Sequence, residues 1–315
     1  MKIVILDRCT VTKGDVDLTV FEKFGDVEYY DLLSKNEIID VLQGAEAVVC
    51  NKAIIDKEII NNTKLGFIGL FATGYNNIDI DYAREKGIVV CNVPGYSTDS
   101  VVQHTFSLLL ELAGNTAKYI ESVNDGEWKR SKKFSYFHSP ISEISGKTLG
   151  IYGLGTIGIA VAQVALAFNM KVIAYTRTPK KVDGVTLVTQ DELFKQSDFL
   201  TIHCPLNKES AEIINKDTLA LMKKSAFIIN TARGGVVNER DLADALNNEV
   251  IAGAGLDVLC FEPMADDCVL FGAKNCIITP HIAWAAFESR VRLIEIVSKN
   301  IEAYINHKPI NVVNN

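Results

Sequence analysis

Two series of short, β-branched apolar runs, each run followed by a stretch with helical spacing of apolar residues, set the tightest limit on how this chain can fold. The first series predicts strands near residues 2–7, 27–30, 47–50, 67–70 and 88–91, and the second near 147–152, 171–176, 199–202, 226–230, 251–256 and 276–278. Runs such as Ile3-Val4-Ile5-Leu6 and Val48-Val49-Cys50 are apolar throughout, as expected of strands covered on both faces. Strand-helix alternation of this kind predicts an α/β fold with two doubly wound parallel sheets. A chain of 315 residues also exceeds what one core usually holds, so two domains are expected. Ser34 with Glu37, and Thr189 with Glu192, have the spacing that satisfies helix-start donors reciprocally. Further helices are expected over 98–113, ending near Gly114, and over 285–306.

Composition narrows the partners. With 48% hydrophobic and 23% charged residues the chain is an ordinary globular one, and its net charge of −7 argues against nucleic acid or an anionic membrane, both of which need a basic face. Small molecules remain. The seven cysteines are scattered, with no Cys-x-x-Cys pair and no Cys/His ligand spacing, which predicts reduced thiols, no metal site and a reducing compartment. The N-terminus enters a strand directly and no apolar run reaches membrane-spanning length, so a cytoplasmic location is expected. Residues 120–145 read as an irregular arm rich in aromatics, including Trp128, Phe134, Tyr136 and Phe137. Such an arm packs either on a second subunit or on its own domain.

The stretch Gly150-Ile151-Tyr152-Gly153-Leu154-Gly155-Thr156-Ile157-Gly158 puts Gly-x-Gly-x-x-Gly between a strand and a helix, the signature of a dinucleotide-binding (Rossmann-like) unit. Gly153 suits the tight turn, Gly155 admits a pyrophosphate beside Thr156 and Ile157 at the helix start, and Gly158 lets helix and strand pack closely. At the end of the next strand, where NAD-binding folds usually place an acid for the ribose, the chain reads Thr176-Arg177-Thr178. The missing acid and the Arg177 charge lean towards NADP(H) over NAD(H); the alternative is a solvated basic turn without selectivity.

Three later segments each follow an apolar strand: Asn230-Thr231-Ala232-Arg233-Gly234-Gly235, Asp257-Val258-Leu259-Cys260-Phe261-Glu262-Pro263, and Thr279-Pro280-His281-Ile282-Ala283-Trp284. Ligands in parallel sheets sit at the carboxyl ends of strands, so these segments can converge. With its motifs in this order the chain resembles the D-isomer-specific 2-hydroxyacid dehydrogenases over essentially its whole length. The stretch Ala72-Thr73-Gly74-Tyr75-Asn76-Asn77-Ile78-Asp79, together with His281 to Trp284, is most similar to the glycerate dehydrogenases, or hydroxypyruvate reductases.

The resemblance implies a catalytic trio of Arg233, Glu262 and His281. An arginine fork suits a substrate carboxylate, an imidazole suits proton transfer at the 2-oxo oxygen, and a carboxylate beside the imidazole favours its charged form. It also implies that Thr105, Thr231 and Ala232 line the cofactor, that His203-Cys204-Pro205 flank the adenosine and that Asp257 bonds the nicotinamide amide. Substrate contacts are expected from Thr73 and Gly74. Lys52 is either a further substrate contact or a surface lysine, and Trp284 either a pocket wall or interlobe core. The family often has Glu where Gln103 stands, while His104, His138 and His307 lack a partner pattern and read as structural.

The family layout further implies a discontinuous, flavodoxin-like substrate domain, residues 1–99 plus 283–315, and a dinucleotide-binding domain, 100–282, with hinges near 98–100 and 282–285. The expected activity is reduction of a small 2-oxo acid of the hydroxypyruvate or glyoxylate type to the D-2-hydroxy acid by a homodimer. Two alternatives stay open: a dehydrogenase for a larger aliphatic, aromatic or sugar-derived acid, and a binding protein that senses the dinucleotide.

Overall fold

The computed structural model describes residues 1–315, which form two compact units: Met1–Ser97 with Trp284–Asn315, and Thr98–Ala283. In chain order the first unit contains β1 (Lys2–Ile5), β2 (Asp26–Tyr29), α1 (Lys35–Val41), β3 (Ala47–Cys50), α2 (Lys57–Asn61), β4 (Phe67–Leu70), α3 (Ile80–Glu85) and β5 (Val89–Cys91). The second contains α4 (Thr98–Gly114), α5 (Thr116–Asn124), α6 (Glu127–Ser131), β6 (Thr148–Tyr152), α7 (Thr156–Ala167), β7 (Lys171–Tyr175), β8 (Val185–Leu187), α8 (Gln190–Gln196), β9 (Phe199–Ile202), α9 (Lys216–Leu221), β10 (Phe227–Asn230), α10 (Glu239–Asn247), β11 (Gly253–Leu256) and β12 (Cys276–Ile278). The chain then returns to the first unit as α11 (Phe287–Ile305).

Both sheets are parallel throughout. The first has strand order β2-β1-β3-β4-β5 and the second β12-β11-β10-β9-β6-β7-β8, so each is doubly wound, with the order reversing beside β1 and β6 respectively. The unbroken apolar runs have the expected cause. Along β1 and the residue after it, Ile3 and Ile5 enter one core cluster while Val4 and Leu6 enter another. In the second sheet Ile229 and Phe199 face one cluster, and Ile228, Leu200 and Ile202 the other. Each such side chain withdrawn from water stabilises the fold by roughly 1.5–3 kcal/mol before chain entropy is counted.

Helix starts follow the sequence closely. Ser34 and Glu37 form a reciprocal cap on α1, and Thr189 and Glu192 form another on α8. The arm is the exception. Residues expected to be irregular from 120 instead carry α5 and α6, joined by Gly126 at φ +79°, and only the stretch after Ser131 lacks regular structure until β6. Local polar contacts hold it: the Ser122 and Tyr136 hydroxyls lie 2.5 Å apart, and the Tyr119 hydroxyl donates to Ser139 O at 2.6 Å. The helices escaped the sequence reading because their apolar residues do not all turn inward: Ile120 and Val123 are exposed. Strand β8, half-exposed at the sheet edge, was also not expected. No helix is long and apolar enough to cross a membrane, and no group of His, Cys, Asp and Glu has a metal-binding arrangement.

Candidate active site

Strands β10, β11 and β12 lie side by side, with Asn230 paired to Leu256 and Leu256 to Ile278, so the three loops expected to carry the chemistry leave the same edge of the second sheet. The loop after β10 is folded by Asn230, whose buried side chain accepts from the Ala232 N–H (3.0 Å) and donates to Arg233 O (2.9 Å). Arg233 follows with an exposed side chain, its Nη1 donating to Ala232 O at 2.7 Å. Gly234 then passes so close to the β11 loop that a Cβ there would lie 2.0 Å from the Leu259 carbonyl carbon. This close approach joins the Arg233 turn to the loop that carries Glu262. Sequence reasoning missed Asn230, although an amide at a strand end before a turn is a readable signal.

Glu262 uses both carboxylate oxygens. Oε1 accepts from the Leu259 N–H at 3.0 Å, and Oε2 lies 2.6 Å from His281 Nδ1. The carboxylate is thus fixed by its own loop before it meets the imidazole, and an Nδ1–H bonded to it leaves Nε2 as the nitrogen for proton transfer. Both side chains are about a third exposed or less, at 27% for His281 and 33% for Glu262, so the pair is reachable without being fully solvated.

His281 has φ +54°, a left-handed backbone that is uncommon away from glycine and carries a cost. Asp257 holds it there. The His281 N–H donates to Asp257 O (2.9 Å), while the Ile282 and Ala283 N–H groups donate to Asp257 Oδ1 (2.9 Å) and Oδ2 (2.7 Å). Thr279 Oγ1 adds a 2.6 Å bond to Oδ1, and His104 Nε2 lies 3.3 Å from the same oxygen. Burial pushes this carboxyl up, but the bonds from His104, Thr279, Ala283 and Ile282 outweigh it and keep Asp257 below the ordinary carboxylate value.

Asp257, expected at the nicotinamide amide, is 1% exposed beneath the loop after β12; Oδ1 faces Thr279, Ile282 and His104, and Oδ2 takes the Ala283 N–H. His104, read as structural without a partner pattern in the sequence, lies 2.9 Å from Thr279 Oγ1 and 3.3 Å from Asp257 Oδ1. A partner at such a sequence distance leaves no local pattern to read. Thr105, expected at the cofactor, is wholly buried, donating to Val101 O at 2.8 Å and lying 3.0 Å from the hydroxyl of Thr231, which is expected at the same site.

At the β6-α7 junction the three glycines are placed as their spacing requires. Gly153 turns at φ +101°, with the His203 and Cys204 backbone against it, and a Cβ on Gly158 would lie 2.2 Å from Gly153 O. At Gly155 an added Cβ would meet open space, directly before the first turn of α7 with Thr156 and Ile157. That turn has no side-chain cap and no acidic residue. An open glycine before an uncapped helix start fits a pyrophosphate, whose charge the amides and helix dipole favour. His203 lines the same junction, its Nε2 2.9 Å from Thr201 Oγ1, and burial pushes its pKa down to about 3, so the ring is neutral. Cys204 is half-buried and Pro205 exposed.

Beyond β7, Thr176 is half-buried, and Arg177 and Thr178 are exposed. Arg177 Nη1 donates to Glu209 Oε2 at 2.9 Å. The basic turn therefore carries an acidic partner from the loop after β9, which the local sequence does not reveal.

The first unit has its own polar loops. Asp7, buried at φ +45° after β1, accepts from the N–H groups of Asn51 (2.9 Å), Lys52 and Ala53 (2.7 Å), and so fixes the turn after β3 on which Lys52 stands exposed. Burial raises the Asp7 pKa, and the three amides with the Lys52 charge do not offset it. The Thr73-Gly74 turn is held by the Thr73 hydroxyl, which donates to Val93 O (2.7 Å), and by Asn92 Nδ2, which donates to Thr73 O (2.7 Å). Trp284 is half-buried against the first unit's core, edge-on to Tyr96 with ring centroids 6.3 Å apart.

Residues 106–283 match the family model described as D-isomer specific 2-hydroxyacid dehydrogenase, NAD binding domain. The whole chain is 41% identical to a hydroxypyruvate reductase of Blautia hydrogenotrophica, with 100% of both chains covered. It is 39% identical to a glycerate dehydrogenase of Methylorubrum extorquens, covering 99% of this chain and 98% of that one. Among solved structures, D-lactate dehydrogenase from Aquifex aeolicus, complexed with NAD and lactic acid, superposes with a TM-score of 0.85 at 30% identity over 99% of both chains. With the strand order, the glycine-lined helix start and these likenesses in agreement, the chain belongs to the D-isomer specific 2-hydroxyacid dehydrogenases and is a dehydrogenase with a nicotinamide cofactor.

Proposed function

We propose that this enzyme reversibly reduces a short 2-oxo acid, of the hydroxypyruvate or glyoxylate type, to the D-2-hydroxy acid. The observation that carries the reading is the 2.6 Å contact between His281 Nδ1 and Glu262, which leaves Nε2 to serve as acid or base. Reduction at C2 requires a hydride, which the nicotinamide cofactor supplies when bound, and a proton at the carbonyl oxygen. His281 delivers that proton, Glu262 orients the imidazole through Nδ1, and the Arg233 fork holds the substrate carboxylate and polarises the adjacent carbonyl. In the first unit, the reading assigns substrate contacts to Lys52, Thr73, Gly74 and Trp284. The relatives named for hydroxypyruvate and glycerate support a small substrate over a large one.

His281→Ala is expected to lower turnover by about 10²–10⁴-fold while the protein still binds NADH or NADPH, followed by nucleotide fluorescence. Near-normal turnover in that variant rejects the reading. Rates with hydroxypyruvate, glyoxylate, pyruvate and phenylpyruvate rank the substrates, and no turnover with any of them favours a dinucleotide sensor.

A preference for NADP(H) rests on Arg177, the only charge in the Thr176-Arg177-Thr178 turn. A 2′-phosphate draws the guanidinium from Glu209, an exposed partner whose hold is weak. Arg177→Ala is expected to weaken NADPH about tenfold more than NADH, whereas equal losses sink the preference. The reading includes a homodimer in the cytoplasm, and for the dimer the arm is the support: Phe134 is 94% and Phe137 88% exposed, two rings that a second chain can cover. Light scattering is expected to give the mass of two chains, and half that mass for a variant with both residues changed to Ser.

A further inference from the structure

His104 lies outside the expected trio, yet its hydrogen bonds lead directly to the backbone of His281. Thr279 Oγ1 has one proton, and the 2.6 Å bond to the ionised Asp257 Oδ1 takes it. The oxygen facing His104 Nε2 at 2.9 Å is therefore an acceptor, so His104 carries its proton on Nε2 and donates. The order of bonds is then fixed. His104, on α4, donates to Thr279; Thr279 donates to Asp257; and Asp257 accepts the Ile282 and Ala283 amides that confine His281 at φ +54°.

We infer that His104 is a positioning residue for proton transfer: through Thr279 and Asp257 it keeps the strained turn that sets the His281 imidazole against Glu262. A left-handed histidine persists only where its surroundings over-determine it. Main-chain bonds from the His281 N–H to Asp257 O and Thr279 O, and the Ser100 hydroxyl on Ala283 O, share this restraint, but the Ile282 and Ala283 amides are held by one carboxylate, and a carboxylate in a buried site keeps its orientation only while its oxygens are matched by donors. Oδ2 receives Ala283 alone of these donors, whereas Oδ1 is the end shared by Ile282, Thr279 and His104. Removing the imidazole frees Thr279 to rotate, loosens Oδ1 and lets residues 281–283 relax. The imidazole then spends less time on Glu262. Errors of about 1 Å in the position of a catalytic group can cost about a hundredfold in rate, so this loss falls on turnover rather than on binding.

The inference rests on His281 being the acid, and its test separates the two claims. In the full-length protein without cofactor, the proton between His281 Nδ1 and Glu262 is expected as a far-downfield ¹H NMR signal that His281→Ala removes. His104→Leu, and independently the near-isosteric Thr279→Val, are expected to shift or broaden that signal. They should also lower kcat about ten- to hundredfold, with the hydroxypyruvate KM and the NADPH Kd changed by less than about threefold. His104→Gln, which offers an N–H near the Nε2 position, should restore most of the turnover lost in His104→Leu. The inference is overturned by an unmoved signal with kcat within about twofold of the parent in both variants, or by losses spread equally over KM and Kd. If His281→Ala itself turns over normally, the functional reading falls, and the NMR arm still decides whether His104 sets the imidazole.

Discussion

Asp7 and Asp257 do the same job in different company. Each follows a parallel strand, β1 and β11, and each turns a buried carboxylate onto amides of the loop after the adjacent strand, β3 or β12. Each also lies at a left-handed residue, Asp7 itself at φ +45° and His281 at φ +54° in the gripped loop. The donors on their oxygens differ. Asp7 receives three main-chain amides, and burial leaves its pKa raised, whereas Asp257 receives two amides together with Thr279 and His104, which bring its pKa below the ordinary value. Amides alone can shape a loop around a buried carboxylate. Keeping that carboxylate ionised at little cost takes a hydroxyl and an imidazole as well, and this fuller set stands behind the loop to which the proposed function assigns proton transfer.

The comparison breaks most readily in kinetics. An Asn side chain keeps one acceptor but turns an NH₂ group against an amide donor, so either substitution disturbs the gripped loop. Asp257→Asn disturbs His281 and is expected to lower kcat about a hundredfold. Asp7→Asn disturbs the Lys52 turn and is expected to raise KM about tenfold with kcat held within about threefold. If steady-state kinetics of Asp7→Asn show a loss in kcat as large as that of Asp257→Asn, the two loops do not divide the work as proposed.

Much of this was legible from the chain because parallel α/β folds write their strands as unbroken apolar runs and their phosphate turns as spaced glycines. The strands of both sheets apart from β8, the caps at Ser34 and Thr189, and the positions of Gly153, Gly155 and Gly158 all follow from local chemistry. What was not legible depends on pairs far apart in sequence. His104 meets Thr279, Arg177 meets Glu209, and Asp257 turns to a loop that lies beyond another strand. No periodicity or spacing encodes such meetings, since they depend on which loops share a sheet edge. The arm misled for a different reason: its two short helices expose apolar residues, and a pattern without a consistent buried face reads as irregular.

The smallest expected effect is also the sharpest test of the difference between the two carboxylates, because it predicts opposite signs. A folded-state pKa above the unfolded value of about 3.9 means that the group's contribution is fully present below that value and is lost as pH rises through the folded pKa. This describes Asp7, faced by the Lys52 charge and the buried Cys50 thiol. A depressed pKa, as in Asp257 beside His104, contributes above about 3.9 and is lost as pH falls through the folded value. An Asn at either position does not titrate. The destabilisation caused by Asp7→Asn should therefore be larger near pH 4 than near pH 7, and that caused by Asp257→Asn larger near pH 7 and shrinking as the solution is acidified below about pH 4. Each unit of pKa displacement is worth about 1.4 kcal/mol, within reach of chemical unfolding curves collected across this range. Penalties that run parallel with pH in the two variants would mean that His104 and Thr279 do not distinguish the sites, and the different environments of the two carboxylates would then have no energetic consequence.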